Sequence, residues 1–171
     1  MVGRVVLVLA GTVLLAISAK VQIPFLPVPV TMQTFVVLVL GIIYGSRLGL
    51  ITGIVYLAEG AIGLPVFAKG AGLAYLLGPT GGYLVGFALA MYVVGLFAER
   101  QFARTYVQVI LVMLVGEAII FVLGVGWLAT MYGLETAITV GLIPFLWIEL
   151  VTIALATVTV PLVYKRLEQK K

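Results

Sequence analysis

Few side chains in this chain can do chemistry away from water. Histidine and cysteine are absent, and all the acidic residues are glutamates. A histidine-based triad is therefore excluded, as are thiol nucleophiles, disulfides and most zinc sites. What remains lies in long apolar runs. Glu117 and Glu149 stand inside two of them, and Glu59 and Lys69 bracket a loop. An ionisable group at membrane depth is costly and marks a functional site by default. Glu149 reads equally as a hydrogen-bond acceptor for the polar head of a ligand or as an acid joining two helices. Glu117 reads as a structural, helix-joining acid. A proton relay through the two lacks the histidine or aspartate partners that would continue it. Glu59 and Lys69 form an interfacial ion pair, or else Lys69 meets an anionic substrate from above.

The run Gly78-Pro79-Thr80-Gly81-Gly82-Tyr83 is the other candidate. Proline fixes one backbone angle, and paired glycines let the backbone approach another group closely. The Thr80 hydroxyl and the N–H groups of Gly78 and Gly81 can then serve a buried polar ligand. Tyr83 offers a flat face with a polar tip. The plainer alternative is a tight turn opening a helix.

The elements that must position these residues are membrane helices. Hydrophobic residues make up 64% of the chain and charged ones only 9%, against roughly 25% charged in a soluble domain. Mean hydropathy is +1.31. Too little polar surface exists to cover a soluble globule, so the expected fold is an all-α integral membrane protein forming a single domain over 1–171. The first apolar run follows Arg4 and is shaped like a signal peptide, but the rest of the chain is just as apolar, so it is read as the first span. Six spans are expected, at about 2–19, 30–44, 47–58, 82–98, 105–125 and 137–164, with a turn between the second and third at Tyr44-Gly45-Ser46-Arg47. With both termini cytoplasmic, the inner side holds Arg4, Arg47, Arg100, Arg104, Lys165, Arg166, Lys170 and Lys171, and the outer side only Lys20 and Lys69. That asymmetry is what membrane insertion favours, so the net charge of +4 is no sign of nucleic acid. No metal or cofactor is called for, and no GxxxxGK[ST] run occurs, so any ATP motor is a different chain.

The outer connections, 20–29, 59–81 and 126–136, stay apolar and rich in proline and glycine. Irregular backbone at membrane depth must be buried in protein or line a cavity, so these loops are expected to form a lid over a substrate pocket, the alternative being a hairpin in the headgroups. Gly41, Gly45, Gly49 and Gly53 recur every four residues, as do Gly82, Gly86 and Ala90, a spacing that lets helix backbones approach closely in lipid.

Three stretches carry a resemblance. They are Ile23-Pro24 through Val28-Pro29-Val30-Thr31-Met32-Gln33, then Gly60-Ala61-Ile62-Gly63-Leu64-Pro65-Val66-Phe67-Ala68, then Gly78-Pro79-Thr80-Gly81-Gly82-Tyr83-Leu84. Pro144-Phe145 followed by Glu149 is a weaker match. Over about 16–156 the sequence resembles the BioY family, the biotin-binding S components of energy-coupling-factor (ECF) transporters. The resemblance implies six helices and a vitamin pocket near the outer face of the cytoplasmic membrane. It also implies docking on a transmembrane coupling subunit that carries two ATPases. Small residues on the first helix would make that dock, at Thr12 and Ala16. The family pattern on the last helix is an aspartate with a lysine three residues on, and here those positions hold Glu149 and Thr152. A biotin carboxylate would lose its cationic partner there. Lys69 would replace it from the loop, or Thr152 would donate a neutral hydrogen bond. A different vitamin-like ligand, or a stand-alone secondary transporter working through Glu117 and Glu149, are the alternatives. A membrane enzyme is disfavoured, since no nucleophile and base pair up in the sequence.

Overall fold

A computed structural model describes residues 2–168, with side chains through residue 161. The basic tail of Lys165, Arg166, Lys170 and Lys171 lies outside the residues whose side chains are described. The elements run α1 (Val2–Lys20), β1 (Gln22–Ile23), β2 (Val30–Thr31), α2 (Gln33–Ala61), α3 (Leu73–Leu76), α4 (Gly81–Glu99), α5 (Tyr106–Tyr132), α6 (Leu134–Gly141) and α7 (Ile143–Glu168). Apolar residues surround each long helix, so the outward faces of the bundle are hydrophobic too, as lipid requires. Among the described residues, five helical stretches are long and apolar enough to cross a membrane.

One of them, α2, is two helices. Gly45 sits at φ 76°, ψ 176°, a region that only glycine adopts at little cost. Past it the chain turns back on itself, because Cβ built on Gly49 would lie 3.5 Å from the Cα of Gly41, residues a straight helix would hold about 12 Å apart. The turn expected at Tyr44-Gly45-Ser46-Arg47 is present, and the passes number six.

The hairpin is packed backbone to backbone. A Cβ on Gly41 would meet the Cα of Met91 at 2.8 Å, and one on Gly53 the Cα of Ala88 at 2.7 Å. Gly86 likewise faces the backbone of Ile120 on α5. The four-residue glycine rows are therefore the seams of α2 with α4 and of α4 with α5, close approaches of the kind that bind helices in lipid. α1 closes the other side of the hairpin. Its Leu7 carbonyl accepts from Tyr44 Oη at 2.8 Å, and Thr12 Oγ1 donates to Glu59 Oε1 at 3.1 Å.

Arg4, Arg47, Arg100 and Arg104 share one end of the bundle. There Glu99 reaches the hairpin turn, accepting from the Ser46 N–H at 2.8 Å and from the Ser46 hydroxyl at 2.8 Å. A capping box at Thr105 and Gln108 starts α5. The other end carries the connections expected to be outer, and two of the three are mostly irregular chain, apart from the β1–β2 ladder and the short α3. The third is a correction. α5 continues to Tyr132, and only Gly133, at φ 82°, separates it from α6. Gly126, read as the first loop residue, is helical. Gly124 is glycine because the Tyr83 ring lies against it. In lipid a helical glycine and a loop glycine look alike in sequence.

Candidate functional site

The first connection, 21–32, doubles back as a two-stranded ladder pairing Gln22 with Thr31 and Ile23 with Val30. Val28 and Val30 are buried, so this loop sinks into the protein instead of lying on the membrane surface. The second connection, 62–80, closes against it through three side chains that donate to carbonyls. Lys20 Nζ donates to Phe67 O at 2.6 Å, Gln22 Nε2 to Ala68 O at 3.2 Å, and Lys69 Nζ to Phe25 O at 2.9 Å. Beneath them Phe67 is fully buried, stacked on Tyr75 at 5.2 Å and edge-on to Tyr56. Gly60 leaves the room for its ring. Tyr56 Oη donates to Val66 O and accepts from Gln33 Nε2 at 2.8 Å, which ties the lid to both limbs of α2.

This interlocked cover roofs a partly enclosed cavity. Val28, Pro29, Thr31 and Ala68 of the lid line it from above. Gln33 and Thr34 of α2, Thr80 and Tyr83 at the start of α4, and Ile120, Phe121 and Phe145 form its walls. Tyr83 is the main wall. Its ring stacks on Phe145 at 6.1 Å and meets Phe121 edge-on at 6.2 Å, while its hydroxyl donates to Gly141 O at 2.8 Å. The open space is about 40 Å³, so a ligand larger than a few waters enters only by parting the lid. A few polar groups in an aromatic pocket fix a ligand's orientation while the apolar surface supplies affinity.

Of the residues singled out in the sequence, Thr80 and Tyr83 line the cavity. Gly78 and Gly81 are not among its lining residues. The Gly78 carbonyl accepts from the Gly81 N–H at 3.1 Å and from Trp127 Nε1 at 2.9 Å. Gly81 is small because the Leu76 carbonyl crowds it. The run is a turn that aims Thr80 and Tyr83. Lys69 is a strap of the lid and not one half of an ion pair with Glu59, whose carboxylate is held by Thr12. Thr12 is therefore turned into the bundle, where it is buried. Ala16 is half-buried at the edge of α1.

Glu149 and Thr152 lie one helical turn or more below Phe145, under the cavity floor. Both are buried. Glu149 stands within hydrogen-bonding reach of Thr34, Thr152 and Glu117. Its Oε2 has no partner, nor does Glu117 Oε1. Gln33 and Thr34 were missed as site residues, although Gln33 closes the first matching stretch. Of the aromatic wall, Phe145 stood in the weaker matching stretch, while Phe121 had no signal beyond hydrophobicity.

The sequence profile of the BioY family matches residues 1–169. The chain belongs to the BioY family. Among relatives, it is 38% identical to the biotin transporter BioY of Thermotoga maritima over 162 residues, 94% of each chain. It is 36% identical to a probable biotin transporter BioY of Pyrococcus horikoshii, over 91% of this chain and 92% of that one. The fold is similar to a crystal structure of the S-component for biotin from an ECF-type ABC transporter, with TM-score 0.83 and 26% identity, over 96% of this chain and 92% of that one. Like these BioY proteins, this one is an all-α membrane protein and a transport subunit, not an enzyme.

Proposed function

We propose that this BioY-family chain is the substrate-binding S component for biotin in an ECF-type transporter. In this reading both termini face the cytoplasm, and the cytoplasmic membrane presents the lid outward. ATP is hydrolysed by two subunits attached to a separate transmembrane coupling subunit. The observation that carries the reading is the partly enclosed, aromatic-walled cavity beneath an interlocked lid, in a chain whose relatives are named for biotin. Biotin has an apolar bicyclic body, a urea head and a carboxylate tail. Tyr83, Phe121 and Phe145 suit the body, and Gln33, Thr34 and Thr80 supply the few polar contacts. Lys69 of the lid is the cation the reading offers to the carboxylate.

Calorimetry on the purified full chain tests this. One biotin per chain should bind with nanomolar affinity, about −12 kcal/mol, which for so small a ligand requires a preformed, dry site. No heat with biotin alongside binding of lipoate or another vitamin would refute the substrate and keep the class. Uptake by liposomes holding this chain alone would favour the stand-alone transporter.

Docking falls to α1. With Thr12 engaged inside the bundle, the stripe of exposed Leu9, Val13 and Ile17, with Ala16 at its edge, is the face left for a coupling subunit. Ala16→Leu should lower the yield of the assembled transporter and leave biotin binding intact. Unchanged yield would move the dock elsewhere.

A further inference from the structure

The short helix α3 stands between two open spaces. Tyr75 lines the ligand cavity and stacks on Phe67 of the lid at 5.2 Å. Leu73 and Leu76, with Leu77 just beyond, line a groove on the outside of the bundle. The start of α4 divides in the same way. Thr80, Tyr83 and Leu84 line the cavity, while Gly81, Gly82 and Val85 line the groove. The segment 73–85 is thus a wall shared by the two spaces. None of the α3 side chains is buried.

The groove follows the seam of α4 and α5. Its upper part lies between Leu57, Val85, Trp127 and Thr130, and it continues past Val122 and Leu123 to Leu89, Ala118 and Val115. From Val115 to Thr130 the rise of α5 is about 22 Å, more than the tails of one leaflet occupy, about 15 Å. The upper part alone holds about 680 Å³ of open space, against about 40 Å³ in the ligand cavity. No charged side chain lines either part. The two polar ones are already engaged, Trp127 Nε1 donating to Gly78 O at 2.9 Å and Thr130 Oγ1 to Trp127 O at 2.7 Å. Exposed Val85 and Val122 make the groove continuous with the lipid-facing surface. Its occupant must therefore be long, thin and apolar. In lipid, association is driven by packing, and a tail in a groove touches protein on more sides than a tail on a flat helix face.

We infer that an acyl chain of a phospholipid, from the leaflet on the lid side, binds in this groove and latches the lid. α3 belongs to the second lid connection, so the lid parts only if α3 moves. The groove is the open space behind α3. A chain lying there closes that space and favours the shut lid, and by reciprocity the shut lid favours the chain.

Trp127 can report the occupant. The chain has one other tryptophan, Trp147 on α7, which Trp147→Phe removes. In detergent, a phospholipid brominated in the upper half of its tails should then quench Trp127 saturably. Unbrominated long-chain phospholipid should relieve the quenching whatever its head group, and dihexanoyl phospholipid should not. Gly126 lines the groove, and a Cβ there meets nothing within 4 Å, so Gly126→Leu fills the groove without pressing on the protein. It should raise the lipid concentration for half-quenching at least fivefold. Long-chain phospholipid should also slow biotin release at least twofold, an arm that rests on the biotin reading above. Quenching that climbs without saturating, or that Gly126→Leu leaves unchanged, overturns the inference. So does a release rate indifferent to the long-chain lipid. Quenching lost on assembly with a coupling subunit would mean that a partner helix fills the groove, and overturns it too. Should Gly126→Leu not fold, the competition by tail length decides. Protein that takes no biotin refutes the substrate reading, and the quenching still decides this one.

Discussion

The two ends of the bundle are closed by different means. At the arginine end the chain reverses within one residue, Gly45, and glycines on α2 press against the backbone of α4. Glu99 then fastens the turn through both polar groups of Ser46. At the lid end long irregular connections are held by single donations from Lys20, Gln22 and Lys69 to carbonyls. Backbone against backbone has no soft side chain to yield. A single hydrogen bond contributes only about 0.5–1.5 kcal/mol net, and two of the straps are exposed lysines. The same chain has built one end to stay shut and the other to open around a ligand.

That contrast breaks most visibly at Gly41. A leucine there would overlap Met91 and Val94, and overpacking a tight seam costs about 3 kcal/mol or more. Gly41→Leu should lose most of its thermal stability in detergent; a midpoint near wild type would mean that the seam is soft. Glu99→Ala comes next. It strands the Ser46 N–H and hydroxyl in a buried turn, for about 2 kcal/mol, read as a lower unfolding midpoint with biotin affinity kept. The smallest effect on stability belongs to Lys69→Met, about 1 kcal/mol or less. Its signature is kinetic, a faster release of biotin in a chase experiment. If Lys69→Met destabilised the protein as much as Glu99→Ala does, the lid would be structural and the contrast between the ends would vanish.

The sequence made the rigid end easy to read and the lid end harder. Hydropathy and arginine placement located the passes, and Tyr44-Gly45-Ser46-Arg47 located the turn, because a polar break amid lipid-facing residues has few other uses. The Gly78–Tyr83 run pointed to the right wall, yet only two of its residues touch the cavity. Gly78 and Gly81 shape the turn, a distinction that depends on the Leu76 carbonyl and on Trp127 some fifty residues away. Lys69 and Glu59 looked like partners because they are near in sequence, and each found a closer one across the fold. The meeting of Glu117 with Glu149 carries no local mark, since it arises from how α5 and α7 pack.

The most direct measurement exploits the absence of cysteine. Gln22→Cys combined with Ala68→Cys places a thiol pair across the seam of the lid, to be bridged by oxidation or a short bis-maleimide. Reduced protein should be stabilised by biotin, about 4 kcal/mol at a thousand-fold excess over Kd. Bridged protein should admit none until the link is cut. Equal binding by the bridged and open forms would mean that the ligand does not enter beneath this lid.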